Sequence, residues 1–155
     1  MKEIKGNLIT LALQGNFDMI IHGCNCYCTM GSGIAKEVRE RIPTAWQADQ
    51  YTEKGNMDKL GTYSSAFAPD LIGGAFKVIN AYTQFGHNPI DKPFNYEAFI
   101  LILKKLNYKC KEQSIGIPQI GTGLAGGNWT KIKEIIKYEL RDMNVIIVYF
   151  DGSKK

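Results

Sequence analysis

Two glycine-rich turns are the parts of this chain best suited to hold a charged ligand. One lies in MIIHGCNCYCTMGSGIAKEV, residues 19–38, and the other in SIGIPQIGTGLAGGNWTKI, residues 114–132. Each turn leaves an apolar strand and enters a helix. Bare backbone can therefore approach a ligand, while the start of the helix offers unpaired N–H groups and a positive dipole. Two such turns predict a cleft that holds a diphosphate or several phosphoryl groups.

His22 and Asn25 are the candidate catalytic residues beside the first turn. A histidine on a buried strand is by default a hydrogen-bonded core group. At the mouth of the turn it can also be the base that activates water, because its unperturbed pKa of ~6.5 lies near neutrality. Asn25 either closes the turn after its strand or contacts the ligand, and we favour contact. His87, within Gly-His-Asn-Pro, is interpreted as a turn residue.

The cysteine spacing argues against a metal site. Cys24, Cys26 and Cys28 alternate, which in an extended segment places all three on one side. Zinc sites use Cys-x-x-Cys pairs or histidines at helical spacing, and the sequence has neither. We interpret the cysteines as small buried hydrophobic residues, and we predict neither a metal nor a cofactor.

Other phosphate-binding motifs fit less well. Gly121, Gly123 and Gly126 match the dinucleotide fingerprint. A Rossmann domain opens with this unit and needs several further strands, whereas here one strand follows, so we expect a different fold. No Gly-Lys-Ser or Gly-Lys-Thr follows either turn, which excludes a P-loop. No cysteine has an arginine six positions after it, which excludes the covalent chemistry of cysteine phosphatases.

Composition places the chain among ordinary globular proteins. It has 155 residues, 45% hydrophobic and 22% charged, so we expect a single domain over residues 1–155 with 152–155 as a loose tail. The formal charge of +4 is mild and favours an anionic small molecule over nucleic acid as partner. No apolar run is long enough to span a membrane, and the N-terminal residues lack the apolar core of a signal peptide. We expect a cytoplasmic monomer.

Strand-like and helix-like stretches alternate along the sequence. Apolar residues at helical spacing in 129–140 and an unbroken apolar run in 144–150 predict a helix beside a strand that is covered on both faces. The pattern therefore predicts a three-layer α/β/α domain. The predicted strands are 4–9, 18–24, 62–68, 76–83, 114–117 and 144–150. The predicted helices are 34–41, a helix capped by Thr44 that runs to Lys54, a helix capped by Asn95 that runs to Leu106, and 129–140.

The motifs together resemble the macrodomain family, which binds ADP-ribose. The resemblance rests on IIHGCNCYCTMGSGIAKEV, VINAYTQFG, IPQIGTGLAGGNW and the final VIIVYF, and it covers nearly the whole chain. Within the family the chain is similar to the yeast-type ADP-ribose 1''-phosphate phosphatases. They share a histidine before the Cys-Asn pair, a glycine run ending in Gly-Ile-Ala and a Pro-Gln-Ile entry to the second turn. The resemblance implies a mixed, about six-stranded sheet between helices, with the ligand across the strand ends.

The resemblance also implies which residues bind the ligand. Asn7 and Leu8 correspond to the adenine contacts, where the family usually has an aspartate in place of Asn7, and Asn25 corresponds to the asparagine that faces the distal ribose. The loop over the ribose and nearer phosphate corresponds to Gly31, Ser32, Gly33, Ile34 and Ala35. The diphosphate loop and its entry correspond to Gln119, Gly121, Thr122, Gly123, Leu124, Ala125 and Gly126. A loop at the cleft rim corresponds to Thr83, Gln84 and Phe85.

Departures from the family discriminate among activities. Hydrolases that remove ADP-ribose from proteins commonly have asparagine in place of His22 and aspartate in place of Ala35. Another branch, acting on acylated or DNA-linked ADP-ribose, has a lysine near Thr83 and an aspartate in place of Ala125. The resemblance therefore implies metal-free hydrolysis of ADP-ribose 1''-phosphate, with His22 and Asn25 as the catalytic residues. The alternatives are an ADP-ribosyl hydrolase of protein or nucleic acid, and a non-catalytic ADP-ribose reader.

Overall fold

The described part of the chain contains six strands and five helices. The computed structural model describes residues 1–153. The strands are β1 (Lys2–Gly6), β2 (Met19–Cys24), β3 (Tyr63–Pro69), β4 (Ala75–Tyr82), β5 (Ser114–Ile117) and β6 (Asn144–Phe150). The helices are α1 (Leu8–Leu13), α2 (Gly33–Arg41), α3 (Pro43–Gln50), α4 (Tyr96–Lys109) and α5 (Trp129–Glu139), with short 3-10 turns at Met57–Lys59 and Pro89–Asp91.

The strands form one mixed sheet in the order β1-β6-β5-β2-β4-β3. Five neighbouring strands run parallel, and only β3 at the edge pairs antiparallel with β4. The carboxyl ends of the five parallel strands therefore meet at one edge of the sheet. Ligands of open α/β sheets bind outside the carboxyl ends of the strands.

Helices cover both faces of the sheet, as the sequence predicted. Side chains alternate along β2, so that Met19 and Ile21 pack under α4 and α5 while Ile20 and Cys24 pack under α1, α2 and α3. A core lies on each side of the sheet, and the predicted three-layer arrangement with a mixed six-stranded sheet is confirmed. None of the helices within residues 1–153 is long and apolar enough to cross a membrane.

Two local predictions differ from the structure. The predicted strand 4–9 stops at Gly6, because Asn7 accepts a hydrogen bond from the Thr10 N–H and begins α1. Thr44 does not cap α3: Pro43 is its first residue, the helix ends at Gln50, and the Thr44 hydroxyl donates to the Phe67 carbonyl. Of the predicted tail, residues 154–155 lie outside the described part of the chain.

Candidate functional site

A cleft of about 960 Å³ opens at the carboxyl ends of the parallel strands. The segments that follow β1, β2, β4 and β5 all line it, together with the end of β6. This volume lies within the range of small-molecule sites, ~300–1,000 Å³. The sheet thus brings both glycine-rich turns, far apart in sequence, to one site.

The second glycine turn lines the cleft and carries free backbone donors. The N–H groups of residues 121–125 donate to no acceptor within residues 1–153, although all five residues line the cleft. The turn closes on itself, because the Gly127 N–H donates to the Gly121 carbonyl at 2.7 Å. Gly121 has φ +78° and packs against Phe94, so a side chain at this position would collide with that ring. Successive free N–H groups in a fixed turn form an anion-binding site.

The first glycine turn leads into α2 across the cleft. Ser32 begins this helix but makes no side-chain capping bond, so its hydroxyl and the first N–H groups of α2 stay available to a ligand. Asn25 accepts the Tyr27 N–H at 2.8 Å and donates one amide hydrogen to Thr29 at 2.7 Å. The side chain of Asn25 therefore closes the turn and also lines the cleft, with a second amide hydrogen to offer.

A buried lysine holds the strained part of this turn. Cys28 and Met30 have φ of +58° and +39°, a backbone conformation that residues other than glycine rarely adopt. Lys59 donates to the Cys26 carbonyl at 3.0 Å and to the Cys28 sulfur at 3.3 Å, and Gln50 donates to the Cys28 carbonyl. These contacts from behind fix the loop that faces the ligand.

Thr83 carries a buried hydroxyl beside the cleft that has no partner among residues 1–153. Its side chain is 1% exposed, and Oγ1 has no hydrogen bond to any described residue. A Cβ placed on Gly23 would lie 3.0 Å from this oxygen, so the absence of a side chain at Gly23 leaves room for the hydroxyl. A buried hydroxyl without a partner destabilises a fold by roughly 1–3 kcal/mol. Thr83 Oγ1 is therefore a buried polar atom beside the cleft that no described residue satisfies.

His22 lies in the core rather than at the cleft. Its ring is 1% exposed and faces the layer of α1, α2 and α3, and it is not among the residues that line the cleft. Asn80 uses its amide hydrogens on Ala45 and Ser64, so its oxygen must accept from His22 Nε2 at 2.7 Å. Burial lowers the pKa of His22 to about 4. This placement corrects the expectation that the ring stands at the mouth of the turn.

The cysteines of the first turn are buried, free thiols. Burial raises the pKa of Cys24 well above its ordinary value, and the pKa of Cys26 is raised for the same reason. A neutral, buried thiol is a poor nucleophile and a poor metal ligand. Within residues 1–153 no group of three or more histidine, cysteine, aspartate or glutamate side chains is arranged to hold a metal ion.

Comparisons with known proteins agree with this geometry. No protein-family model matches the chain. An uncharacterized 17.5 kDa protein of Enterobacteria phage T4 is 35% identical over 153 residues, which span 96% of this chain and 95% of the phage protein. A macrodomain protein from Streptomyces coelicolor superposes with a TM-score of 0.68 at 25% identity, over 98% of this chain and 99% of that one. The chain has the macrodomain fold. The Trypanosoma brucei macrodomain, solved in complex with ADP-ribose, has the same fold at 15% identity, with a TM-score of 0.58 over 95% of this chain and 62% of that one.

Most of the predicted ligand-binding residues line the cleft. Three predicted site residues do not: His22 is in the core, the Phe85 ring packs against Tyr27 at 5.2 Å between centroids, and the Gly126 backbone lies against Lys92. The residues brought together are Asn7, Leu8, Asn25, Gly31, Ser32, Gly33, Ile34, Ala35, Thr83, Gln84, Gln119, Gly121, Thr122, Gly123, Leu124 and Ala125.

Sequence reasoning missed several residues that line the cleft. Glu37 and His87 bring polar groups, and Val148 and Phe150 bring apolar surface at the end of β6. Glu37 could have been found from helical spacing, because it lies one turn after Gly33 on α2. His87 sits in a turn whose path depends on tertiary contacts, and the sequence carried no signal for it. The other missed residues are Gly6, Gly23, Cys24, Thr29, Met30, Pro118 and Ile120.

Proposed function

We propose that the cleft binds ADP-ribose. The observation that carries this proposal is the run of free N–H groups in residues 121–125, set across the cleft from the start of α2. Both features favour the negative charge of a diphosphate without a cation. Asn25 and Thr83 then offer polar groups to the distal ribose, while Leu8, Val148 and Phe150 offer apolar surface to the base. The ADP-ribose complex of the trypanosomal macrodomain supports this assignment.

Calorimetry with ADP-ribose in the presence of a chelator tests the binding proposal. We expect one site per chain and the same affinity with and without the chelator, because backbone amides rather than a metal hold the diphosphate. Thermal denaturation with and without ligand gives an independent readout, since a ligand that binds only the folded state raises its stability. Absence of heat and of stabilisation at millimolar ADP-ribose would contradict the proposal.

We further propose that this macrodomain hydrolyses ADP-ribose 1''-phosphate to ADP-ribose and phosphate. A water oxygen bonds to phosphorus, the bond from phosphorus to the 1'' oxygen breaks, and the proton lost by the water ends on that oxygen. Free N–H groups of the 121–125 turn stabilise charge on the phosphoryl group, and Asn25 orients the ribose that carries it. The His22 ring does not reach the cleft. We therefore propose that a phosphate oxygen of the substrate, rather than His22, first accepts the proton that the attacking water loses.

Two variants separate these roles. Asn25→Ala should lower turnover about 100-fold, because it loses the group that positions the ribose. His22→Gln can still donate to Asn80 and should keep turnover within a few-fold of the parent. A loss of activity in folded His22→Gln that matched Asn25→Ala would contradict the assignment and restore His22 as the base.

One comparison of products separates this phosphatase activity from its alternatives. Phosphate release from ADP-ribose 1''-phosphate is measured beside ADP-ribose release from a modified protein and from modified nucleic acid. Ala35 and Ala125 supply no acid or base at the two positions where the ADP-ribosyl hydrolases commonly have aspartate, which favours the phosphatase or a non-catalytic reader. Binding without release of either product would identify a reader, and release of ADP-ribose alone would identify an ADP-ribosyl hydrolase.

A further inference from the structure

Asn7 is committed to the fold and has no donor left for a ligand. Its oxygen accepts the Thr10 N–H at 3.0 Å and so begins α1. Its amide nitrogen donates to Glu37 Oε1 at 3.2 Å and to the Ser153 carbonyl at 3.3 Å, which uses both hydrogens. The amide cannot reverse without losing all three bonds. The residue that the family resemblance placed against the base therefore acts as a support.

Glu37, which Asn7 contacts, is a hydrogen-bond acceptor at the cleft. Its Oε1 accepts from Asn7 and, at 2.9 Å, from Arg41 one turn further along α2. Arg41 is held in turn by the Thr10 hydroxyl at 3.1 Å, and the Arg41 side chain is only 10% exposed. No residue within 1–153 donates to the second oxygen, Oε2, although Glu37 lines the cleft. One oxygen of the carboxylate is thus fixed by donors, and the other is available.

The surroundings of Glu37 fit a flat ring that carries a donor. Val148 and Phe150 pair with Ile4 and Gly6 of β1, and so stand beside Leu8 at this end of the cleft. The Phe150 ring is 68% exposed at the end of β6. Aromatic and aliphatic surfaces of this kind pack against the faces of a base, while a carboxylate oxygen accepts only from a donor on its edge.

We infer that Glu37 Oε2 accepts a hydrogen bond from the exocyclic amine of adenine and thereby selects the base of the ligand. This inference rests on the proposed binding of ADP-ribose. Asn7 and Arg41 hold the carboxylate in position. Glu37 is a specificity-determining residue and takes no part in the chemistry at the 1'' position.

The substitution Glu37→Gln converts this acceptor into a donor at nearly constant shape. Asn7 and Arg41 both donate to Oε1, so the oxygen of the glutamine amide stays there and its NH₂ group takes the place of Oε2. The amine of adenine would then meet a donor. Glu40→Gln is the matched control, because Glu40 lies on the same helix with a side chain 52% exposed and does not line the cleft.

Calorimetry with two ligands tests the inference. They are ADP-ribose and the analogue in which unsubstituted purine, without the exocyclic amine, replaces adenine. The parent protein and Glu40→Gln should bind ADP-ribose about 10- to 100-fold more tightly than the analogue, as expected for a hydrogen bond to a charged group. In Glu37→Gln the affinity for ADP-ribose should fall by a similar factor, and the preference between the two ligands should disappear.

The outcomes separate this inference from the proposal beneath it. If the parent binds neither ligand, the proposed function fails. If the parent binds both ligands equally, the inference fails while ADP-ribose binding stands. A folded Glu37→Gln variant that keeps the parental preference also overturns the inference. The parental comparison needs no variant, so the test holds even if Glu37→Gln does not fold.

Discussion

Replacing Thr83 by valine should stabilise the folded protein while lowering its affinity for the ligand. Thr83 is 1% exposed and its Oγ1 has no partner in the described chain. Folding therefore removes this hydroxyl from water without giving it a hydrogen bond in the protein. Valine has the same shape and no hydroxyl. An unpartnered buried polar group costs ~1–3 kcal/mol, and we expect Thr83→Val to raise the free energy of unfolding by about 1 kcal/mol. For a domain of this size the melting temperature should rise by roughly 2–4 °C.

Thr62→Val is the matched control, with the opposite expected sign. The Thr62 hydroxyl donates to the Lys59 carbonyl at 2.6 Å, so its removal loses a made hydrogen bond and should lower the free energy of unfolding by about 1 kcal/mol. Both variants are measured by thermal denaturation without ligand. ADP-ribose affinity, measured by calorimetry, should fall about tenfold in Thr83→Val and stay unchanged in Thr62→Val.

Two results would refute this reasoning. If Thr83→Val melts below the parent, as Thr62→Val should, the hydroxyl of Thr83 is satisfied in the folded protein. If Thr83→Val is more stable but binds ADP-ribose as the parent does, the buried hydroxyl has no role in ligand binding.

The remaining predictions concern the second glycine turn and the buried histidine. A Cβ on Gly123 would meet no atom within 4 Å and its φ is not in the left-handed region, so Gly123→Val should fold normally yet lose ADP-ribose affinity by ~100-fold or more, measured by calorimetry. Gly86→Val, equally open but outside the cleft, should bind as the parent does. The pKa of His22 falls from 6.5 to about 4 on folding, so the unfolded chain binds the extra proton between these values. Acidification from pH 6.5 to 4 should therefore lower the free energy of unfolding by up to about 3 kcal/mol, and His22→Gln should remove this part of the pH dependence in denaturant titrations.

Local sequence patterns were enough to predict the three layers of the fold and the two glycine-rich turns. Apolar spacing in α5 and the unbroken apolar run of β6 depend on short-range periodicity, which the sequence shows directly. The strand predicted over 4–9 was wrong after Gly6, because the apolar residues that follow Asn7 belong to α1. Asn7 is a helix-capping residue, and Leu8, Ile9 and Ala12 lie at helical spacing after it. The sequence therefore carries a local signal for α1.

The face on which a strand residue falls was harder to predict. His22 and Asn25 are three positions apart, and the sequence does not say which side of β2 the ring faces until the helices on each side are known. Asn80, which binds the ring, comes from a neighbouring strand through pairing that no local pattern encodes. Glu37 was missed for the same reason, since its role depends on what Asn7 does nearby.

The strand order has a consequence for how the protein folds. Neighbours in the sheet come from distant parts of the chain: Met19 of β2 pairs with Ile115 of β5, and Gly6 of β1 pairs with Phe150 of β6. Long loops must close before these contacts form, so we expect slow folding with the cleft assembled late. Because the segments that line the cleft come from all along the chain, the folding transition state should have little affinity for the ligand. ADP-ribose should then leave the folding rate unchanged and slow unfolding, so that the bound protein resists heat and proteases for longer.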